Sequence, residues 1–389
     1  MACGERAAVS VADVLRDHVA GLRLDHEQAK VVAHILACRT GRLGVHIAVC
    51  DRCGHSHFAY HSCRDRHCPR CGSLDQALWA EAQLQHLLPL SYYHLVFTVP
   101  ASLRPFFAGK GRAAALEALF AAVSQTILEA AARRGLRPGV LALLHTWTQK
   151  LTFHPHLHCL VTGGGLGPQG GFVHRPRYLL PRKVVRLLFK GKLLAKLQIL
   201  LREGQLDLGR HSGHELLRDA SRREWNIDIR RPLDGAEQVV RYFARYTRRI
   251  AISDRRLVSY DGHTVVFRWR DRADRNRQKT MALDGPTFYQ RFLQHVLPPR
   301  FVRIRRYGLL SNRVRESLLA RSRELLGADA PLLLAPPGES RTAACQRIFD
   351  ADLDLCPECR KGKLVVRARW RATRLPLDCV IAKLMPRAP

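Results

Sequence analysis

Apolar residues recur along this chain of 389 residues in two ways. In some stretches they have the spacing of a helix face, and in others they form the short runs or alternate positions of a strand. Helical spacing extends over three long stretches, residues 73–88, 112–134 and 182–201. Apolar runs rich in β-branched and aromatic residues predict three strands, at residues 92–99, 139–147 and 156–161. Three consecutive glycines, residues 163–165, are expected to end the last of these strands. The pattern therefore predicts an α+β protein.

The third predicted strand carries His156 and His158, with Leu157 between them. Residues two apart in a strand point to the same face, so both imidazoles share one side while Leu157 faces the core. Two imidazoles on one face can chelate a single divalent cation. Read alone, the same pattern is also typical of two ordinary half-buried histidines, and both interpretations stay open at this point.

Residues 234–249 predict a further helix, which carries two tyrosines. Asp234 is a candidate N-cap, and Glu237 stands where a capping box would place it. Tyr242 and Tyr246 are four residues apart and so share one helix face. Four arginines surround them, namely Arg241, Arg245, Arg248 and Arg249. Two hydroxyls in a cationic setting suit an attack on phosphate, and two amphipathic tyrosines at a core edge are the alternative.

The chain has 12 cysteines, and several of them form C-x-x-C pairs. Two pairs separated by a short hairpin suit one structural zinc ion bound by four thiolates, and these are Cys50, Cys53, Cys68 and Cys71. Cys63 and His67 lie between the pairs as further ligand candidates. A third pair, Cys356 and Cys359, lies near the C-terminus, where Cys345 and Cys379 are the tail residues that could complete a second site.

Lysine and arginine number 64 against 33 acidic residues, a formal net charge of +31. That excess favours a polyanionic partner, and nucleic acid is the usual one. The predicted strand 301–307 is rich in arginine, and arginine beside tyrosine can grip phosphates and stack unpaired bases. We find no long uncharged apolar span, signal peptide or lipidation motif, so we expect a cytoplasmic protein without a membrane partner.

Together, the histidine strand, the tyrosine helix and the cysteine block 62–71 resemble the HUH single-strand endonucleases, and more specifically the two-tyrosine transposases of ninety-one-type bacterial insertion sequences. The resemblance also includes five shorter blocks, at residues 94–100, 145–147, 251–253, 291–298 and 301–308. It implies an α+β fold, an HUH endonuclease core with a central antiparallel sheet flanked by helices, preceded by a small zinc-ribbon-like domain. It also implies a bacterial protein that acts on the single-stranded DNA of element ends and target.

The resemblance implies that Tyr242 and Tyr246 are nucleophiles that form 5′-phosphotyrosine links. It further implies Mg²⁺ or Mn²⁺ at His156 and His158, in addition to the structural Zn²⁺. HUH sites commonly draw a third ligand from a neighbouring element, and His145 is the leading candidate, followed by Gln149 and Gln238. The DNA-binding candidates are the cationic side chains of two elements: Arg241, Arg245, Arg248, Arg249, Arg303, Arg305 and Arg306.

Three domains are expected: 1–75 with the zinc site, 76–315 as the catalytic core with a basic helical insertion at about 166–232, and a tail, 316–389. Two other functions would also account for some of these sequence features. A rolling-circle replication initiator or relaxase would use the same chemistry, and a non-catalytic zinc-dependent DNA-binding protein would share the cysteines and the charge. The oligomeric state stays open.

Overall fold

The structure is a computed structural model. It describes residues 9–21, 23–175, 180–230, 250–271, 273–329, 336 and 338–371. The described α-helices are α1 (Val11–His18), α2 (His26–Ala37), α3 (Ser73–Leu84), α4 (Arg104–Ala108), α5 (Arg112–Ala132), α6 (Arg182–Arg202), α7 (Gly213–Arg222), α8 (Gly285–Leu293), α9 (Arg315–Leu326) and α10 (Arg341–Phe349). The described strands are β1 (Val45–Cys50), β2 (Ser56–Tyr60), β3 (Tyr92–Thr98), β4 (Arg137–Trp147), β5 (Phe153–Leu166), β6 (Phe172–His174), β7 (Ile227–Ile229), β8 (Leu257–Tyr260), β9 (Thr264–Asp271), β10 (Arg277–Asp284), β11 (Ile304–Gly308) and β12 (Leu364–Trp370).

The chain forms two compact units, and each unit combines stretches that are far apart in sequence. The first contains residues 1–78, 249–296 and 335–389, and the second contains residues 79–248 and 297–334. In this division, residues 335–389 fall into the same unit as residues 1–78.

The second unit is built on a six-stranded antiparallel sheet in the order β11-β4-β5-β3-β7, with β6 paired to the end of β5. β4 and β5 form a long hairpin in which His145 lies opposite His156. β3 pairs with β5 on its other side, so the histidine strand lies between two neighbours in the middle of the sheet. A central antiparallel sheet with helices around it confirms the expected fold class.

Helices cover the face of this sheet that is opposite to His156. α5 packs against β4 and α6, and Phe97 of β3 contacts Phe189 of α6 with ring centroids 5.1 Å apart. Leu157 is completely buried on this face, as expected. By length and composition α5 could cross a membrane, but 61% of its apolar window is buried within the protein, as in the core helix of a folded unit.

The described part of the stretch 166–232, the expected basic helical insertion, contributes β6, β7, α6 and α7 to the second unit. β7 pairs with β3 as an edge strand of the central sheet. α6 buries one apolar stripe, made by Val185, Phe189, Leu193 and Leu197. Its lysines occupy the other positions of the helix, which therefore has both a core face and a basic face.

Contrary to expectation, the three glycines at 163–165 continue β5 and do not end it. A Cβ atom on Gly165 would lie 2.1 Å from the carbonyl oxygen of Arg137, and one on Gly163 would lie 2.6 Å from that of Ser91. Neighbouring backbone therefore approaches this end of the strand more closely than any side chain would allow. The glycines serve close packing between strands, which local turn statistics do not reveal.

The first unit contains two three-stranded antiparallel sheets, β12-β1-β2 and β10-β9-β8. β12 pairs with β1 from Val45↔Trp370 to Cys50↔Leu364, so residues from the two ends of the chain share one sheet. α1 and α2 both begin with capping boxes, formed by Ser10 with Asp13 and by Asp25 with Gln28. α1 packs against α2 and α8.

The close approach at Gly165 gives a testable prediction. Gly165→Ala should lower the free energy of unfolding by about 1–3 kcal/mol, because the added methyl group can be accommodated only if the backbone moves. Gly171→Ala is the matched control, since a Cβ atom there would meet nothing within 4 Å. Urea unfolding of both variants measures the difference, and equal stabilities would contradict this explanation of the glycine run.

Candidate active site and metal centres

Three histidines converge on one face of the central sheet. His145 comes from β4, and His156 and His158 come from β5. One ring nitrogen of each lies within 4.8 Å of the corresponding nitrogens of the other two. His145 and His158 are buried, whereas His156 is partly exposed. The register His145↔His156 places the third imidazole beside the other two, and an arrangement of this kind can hold a divalent cation.

The backbone fixes the orientation of the His156 ring. Its Nδ1–H donates a hydrogen bond to the carbonyl oxygen of His154, 2.7 Å away. A carbonyl oxygen only accepts, so Nδ1 carries a proton, and a metal ion would bind this ring through Nε2.

A fourth histidine, His94 of β3, supports the cluster from the core side. Its Nε2 lies 2.9 Å from Nδ1 of His158, and the two rings are within 9° of parallel. His94 is completely buried. When His158 donates its Nδ1 proton to His94, its Nε2 carries a lone pair for a cation. Sequence reasoning placed residue 94 in a strand but gave it no role, because only the register Val96↔His158 shows that it faces His158.

His154 lies outside the three-histidine cluster. Its Nδ1 accepts a hydrogen bond from the Arg104 guanidinium at 2.9 Å. Burial, and then the charge of Arg104, lower the pKa of His154, which keeps the ring neutral and able to accept. This contact joins α4 to the start of β5, which gives His154 a structural role in the described part of the chain.

The other catalytic candidates divide into described and undescribed residues. Gln149 is exposed in the turn after β4. The tyrosines and the remaining candidates of the predicted helix lie outside the described residues, and these are Gln238, Arg241, Tyr242, Arg245, Tyr246, Arg248 and Arg249.

Arginine candidates near β11 make contacts within the second unit. Arg305 forms a two-pronged ion pair with Glu117 of α5, with both N–O distances at 2.5 Å, and its guanidinium lies 4.1 Å from the Phe120 ring centroid. Arg306 donates to the side-chain oxygen of Gln83. Arg303 is partly buried just before β11. The structure therefore gives Arg305 and Arg306 packing roles that their sequence pattern did not indicate.

Cysteines of the first unit form two four-thiol clusters. The inner cluster consists of Cys38, Cys63, Cys68 and Cys71, and the outer cluster consists of Cys50, Cys53, Cys356 and Cys359. In each cluster the four sulfur atoms lie within 4.8 Å of one another. The predicted site made of Cys50, Cys53, Cys68 and Cys71 is therefore wrong, because the two N-terminal pairs belong to different clusters.

The inner cluster fits structural zinc by its geometry. A tetrahedral site with Zn–S bonds of about 2.3 Å sets its sulfurs about 3.8 Å apart, and the sulfurs of Cys63 and Cys71 are 3.7 Å apart.

Cys63 lies in the inner cluster, whereas His67 does not. The His67 ring bonds through Nδ1 to Asp65 at 2.9 Å, and His34 bonds the other carboxylate oxygen of Asp65 at 2.8 Å. Burial alone would raise the pKa of Asp65, but the hydrogen bonds from His67 and His34 lower it. Sequence reasoning missed Cys38 as a ligand candidate, since it lies alone at the end of α2, 25 residues before Cys63.

Comparisons with known proteins identify relatives along most of this chain. Residues 10–99 match the family model described as "Transposase zinc-binding domain", and residues 139–317 match one described as "Putative transposase". "Putative transposase y4qJ" of Sinorhizobium fredii is 39% identical, over 92% of this chain and 95% of its own length. "Transposase for insertion sequence element IS801" of Pseudomonas savastanoi pv. phaseolicola is 32% identical, over 78% of this chain and 75% of its own.

Among solved structures, the conjugative relaxase TrwC in complex with mutant oriT DNA matches 61% of this chain and 74% of that chain, at 16% identity and a TM-score of 0.22. That likeness is too distant to define the fold.

The two relatives in the previous paragraph match along most of their own length, and they show the family. The chain belongs to the IS91 family of transposases. Its substrate class is accordingly DNA, and its N-terminal part is a zinc-binding domain.

The inner cluster predicts the effect of removing the ligand that the sequence did not reveal. Cys38→Ser should lower the zinc content by about one ion per chain, because a structural site needs all four thiolates. Cys159→Ala is the control, since Cys159 is buried in β5 outside both clusters. Elemental analysis of the purified proteins measures this, and unchanged zinc in the Cys38 variant would exclude Cys38 as a ligand.

Proposed function

We propose that this transposase is an HUH single-strand DNA endonuclease and strand transferase that uses Tyr242 and Tyr246 as nucleophiles in rolling-circle-type transposition. The observation that carries the proposal is the three-histidine cluster on the central sheet, with Nδ1 of His156 bonded to the His154 carbonyl. Three convergent imidazole nitrogens suit a shared divalent cation, and the backbone bond leaves that role to Nε2 in the case of His156.

Nitrogen atoms of His145, His156 and His158 would hold the cation, for which Mg²⁺ or Mn²⁺ is the proposed ion. The residues fit such an ion, since three imidazole nitrogens converge within 4.8 Å. Such an ion draws charge off phosphate oxygens and so makes phosphorus more electrophilic. The partial exposure of His156 keeps one side of the cluster accessible to a DNA phosphate, whereas His145 and His158 close the buried side.

The chain itself supplies the nucleophile. A tyrosine hydroxyl, with a pKa near 10, is weak at neutral pH and needs close positioning against an activated phosphate. Its Oη forms a bond to phosphorus while the bond from phosphorus to the 3′ oxygen breaks. The tyrosine proton passes to solvent, and the departing oxygen takes a proton to become a 3′-hydroxyl. The product is a 5′-phosphotyrosine, which keeps the energy of the original ester for rejoining.

Two tyrosines would allow two covalent ends to coexist. In the helix that the sequence predicts, four residues would separate them by about 6 Å along the axis and place them on one face. One tyrosine could then hold a donor end while the other holds a target end, and each free 3′-hydroxyl could attack the opposite phosphotyrosine. Membership of a transposase family supports this use over a replication initiator or relaxase, which would share the chemistry.

The proposal predicts covalent adducts that depend on the tyrosines. The double variant Tyr242→Phe, Tyr246→Phe should form no adduct with a labelled single-stranded oligonucleotide that carries the element end, because the nucleophilic oxygens are gone. Each single variant should keep some nicking but lose complete strand transfer. Denaturing gel electrophoresis of the reaction detects the adduct.

Two controls give this experiment its specificity. The variant His156→Ala, His158→Ala should also lose the adduct, whereas His67→Ala, which changes a histidine outside the cluster, should keep it. An adduct that persists in the double tyrosine variant would exclude these nucleophiles. An adduct absent from the wild type under all divalent ions would instead favour a non-catalytic DNA-binding protein.

A second prediction concerns His94, which we propose as a positioning residue for His158. His94→Leu should weaken Mn²⁺ binding by about 10- to 100-fold, because the His158 ring loses the partner that orients it and fixes its tautomer. His94→Gln should retain more affinity, since its side-chain oxygen can still accept the Nδ1 proton of His158. Calorimetric titration with Mn²⁺ measures both variants.

Thermal unfolding separates positioning from folding in this test. A purely structural role would lower the unfolding temperature of both variants and leave the Mn²⁺ affinity of the folded fraction unchanged. Equal affinity for Mn²⁺ in wild type, His94→Gln and His94→Leu would therefore contradict the positioning role. The zinc content of the first unit should stay at the wild-type value in all three proteins.

A further inference from the structure

The outer cysteine cluster joins two parts of the chain that lie about 300 residues apart. Sγ of Cys50 is 3.7 Å from Sγ of Cys359, and Sγ of Cys53 is 3.7 Å from Sγ of Cys356. Both separations match the value of about 3.8 Å expected for thiolates around a tetrahedral zinc. They are far longer than a disulfide bond of about 2.05 Å.

Both halves of this cluster have the shape of a metal-binding turn. The backbone N–H of Arg52 donates to Sγ of Cys50 at 3.4 Å, and the N–H of Gly362 donates to Sγ of Cys359 at 3.4 Å. Such donors stabilise negative charge on sulfur. In each half the residue after the second cysteine has a left-handed backbone, with φ of 72° at Gly54 and 52° at Arg360. The two turns therefore follow the same course and can present two thiolates each.

Backbone pairing holds the two turns against each other. The N–H of Asp51 donates to the carbonyl oxygen of Lys363 at 3.0 Å, and the N–H of Lys363 donates to the Asp51 carboxylate at 2.8 Å. Beyond these bonds, the β1–β12 ladder begins with the pair Cys50↔Leu364. A Cβ atom on Gly362 would lie 2.5 Å from Sγ of Cys50, so the approach of the turns requires glycine at that position.

We propose that the outer cluster binds a second structural zinc, and that this ion attaches the C-terminal segment 351–371 to the N-terminal zinc-binding domain. The family match for that domain ends at residue 99 and contains only Cys50 and Cys53 of the four ligands. Residues from the end of the chain therefore complete the domain. The proposal is independent of the nuclease chemistry, since it concerns the first unit only.

The two zinc ions should differ in their resistance to chelators. The inner cluster has three buried cysteines and one half-buried one, Cys63, whereas the outer cluster has an exposed ligand, Cys53, as well as the half-buried Cys359. A chelator reaches an exposed ligand without unfolding of the surrounding structure. The outer zinc should leave first, in a fast phase that the inner zinc does not share.

Native mass spectrometry of the full-length chain tests the site. The wild type should carry two zinc ions, and the variant Cys356→Ser, Cys359→Ser should carry one. Cys345→Ser is the matched control, because Cys345 is buried in α10, just before the C-terminal segment, and belongs to neither cluster, so this variant should keep two. A wild type that carries one zinc would overturn the proposal. A wild type without the outer zinc and with a mass lower by two hydrogen atoms would also overturn it, because it would contain a disulfide in place of the metal.

Hydrogen exchange tests the attachment separately. Loss of the outer zinc should speed amide exchange in β12 and at the Asp51–Lys363 contact by at least about tenfold, while α2 and the inner cluster keep their protection. The Cys345→Ser protein should exchange like the wild type. If the Cys356→Ser, Cys359→Ser variant lost its zinc and β12 exchange did not change, the ion would be bound without attaching the segment, and that part of the proposal would be wrong.

Discussion

The pairing of β4 with β5 is the contact on which the candidate active site depends. Its register places His145 opposite His156, and a slip of one residue would turn His156 and His158 toward the opposite, helix-covered face. Leu157 on that face, completely buried, opposes such a slip because it would have to leave the core. The hydrophobic pattern of β5 thus fixes the direction of the imidazoles as well as the stability of the sheet.

Much of this sheet could be predicted from local sequence, since apolar runs rich in β-branched and aromatic residues located β3 and β4 to within about two residues and the central part of β5. The glycine run was misread, because glycine has the same local signature whether it ends a strand or allows a close backbone approach. Only the neighbours decide, and Arg137 and Ser91 are remote in sequence from Gly165 and Gly163. The role of His94 was missing for a related reason, since it depends on how β3 and β5 align.

The cysteines show the same limit at longer range. Each C-x-x-C pair was recognisable as half of a zinc site, because two thiolates on one turn is a local property. Which halves combine is a property of the fold, and three C-x-x-C pairs with the remaining cysteines allow several combinations. Cys68 and Cys71 combine with Cys38 and Cys63, whereas the nearby pair at Cys50 combines with a turn near residue 356. Combining the two C-x-x-C pairs that are near each other in sequence gave the wrong site. The β1–β12 ladder, which brings Cys50 and Cys53 to the turn near residue 356, is not visible in local sequence.

The net charge of +31 also conveys less about the DNA-binding surface than its size suggests. Some arginines hold the fold together: Arg305 is paired with Glu117 and covers Phe120, and Arg323 donates to the carbonyl oxygens of Gln85 and Leu87. In the first unit Arg70 is paired with the buried carboxylate of Asp254. Arginine suits these positions because its planar fork satisfies several acceptors at once. An arginine-rich strand is therefore weak evidence of a DNA contact until the partners of each guanidinium are known, and the side chains that remain in solvent are those that can meet phosphate.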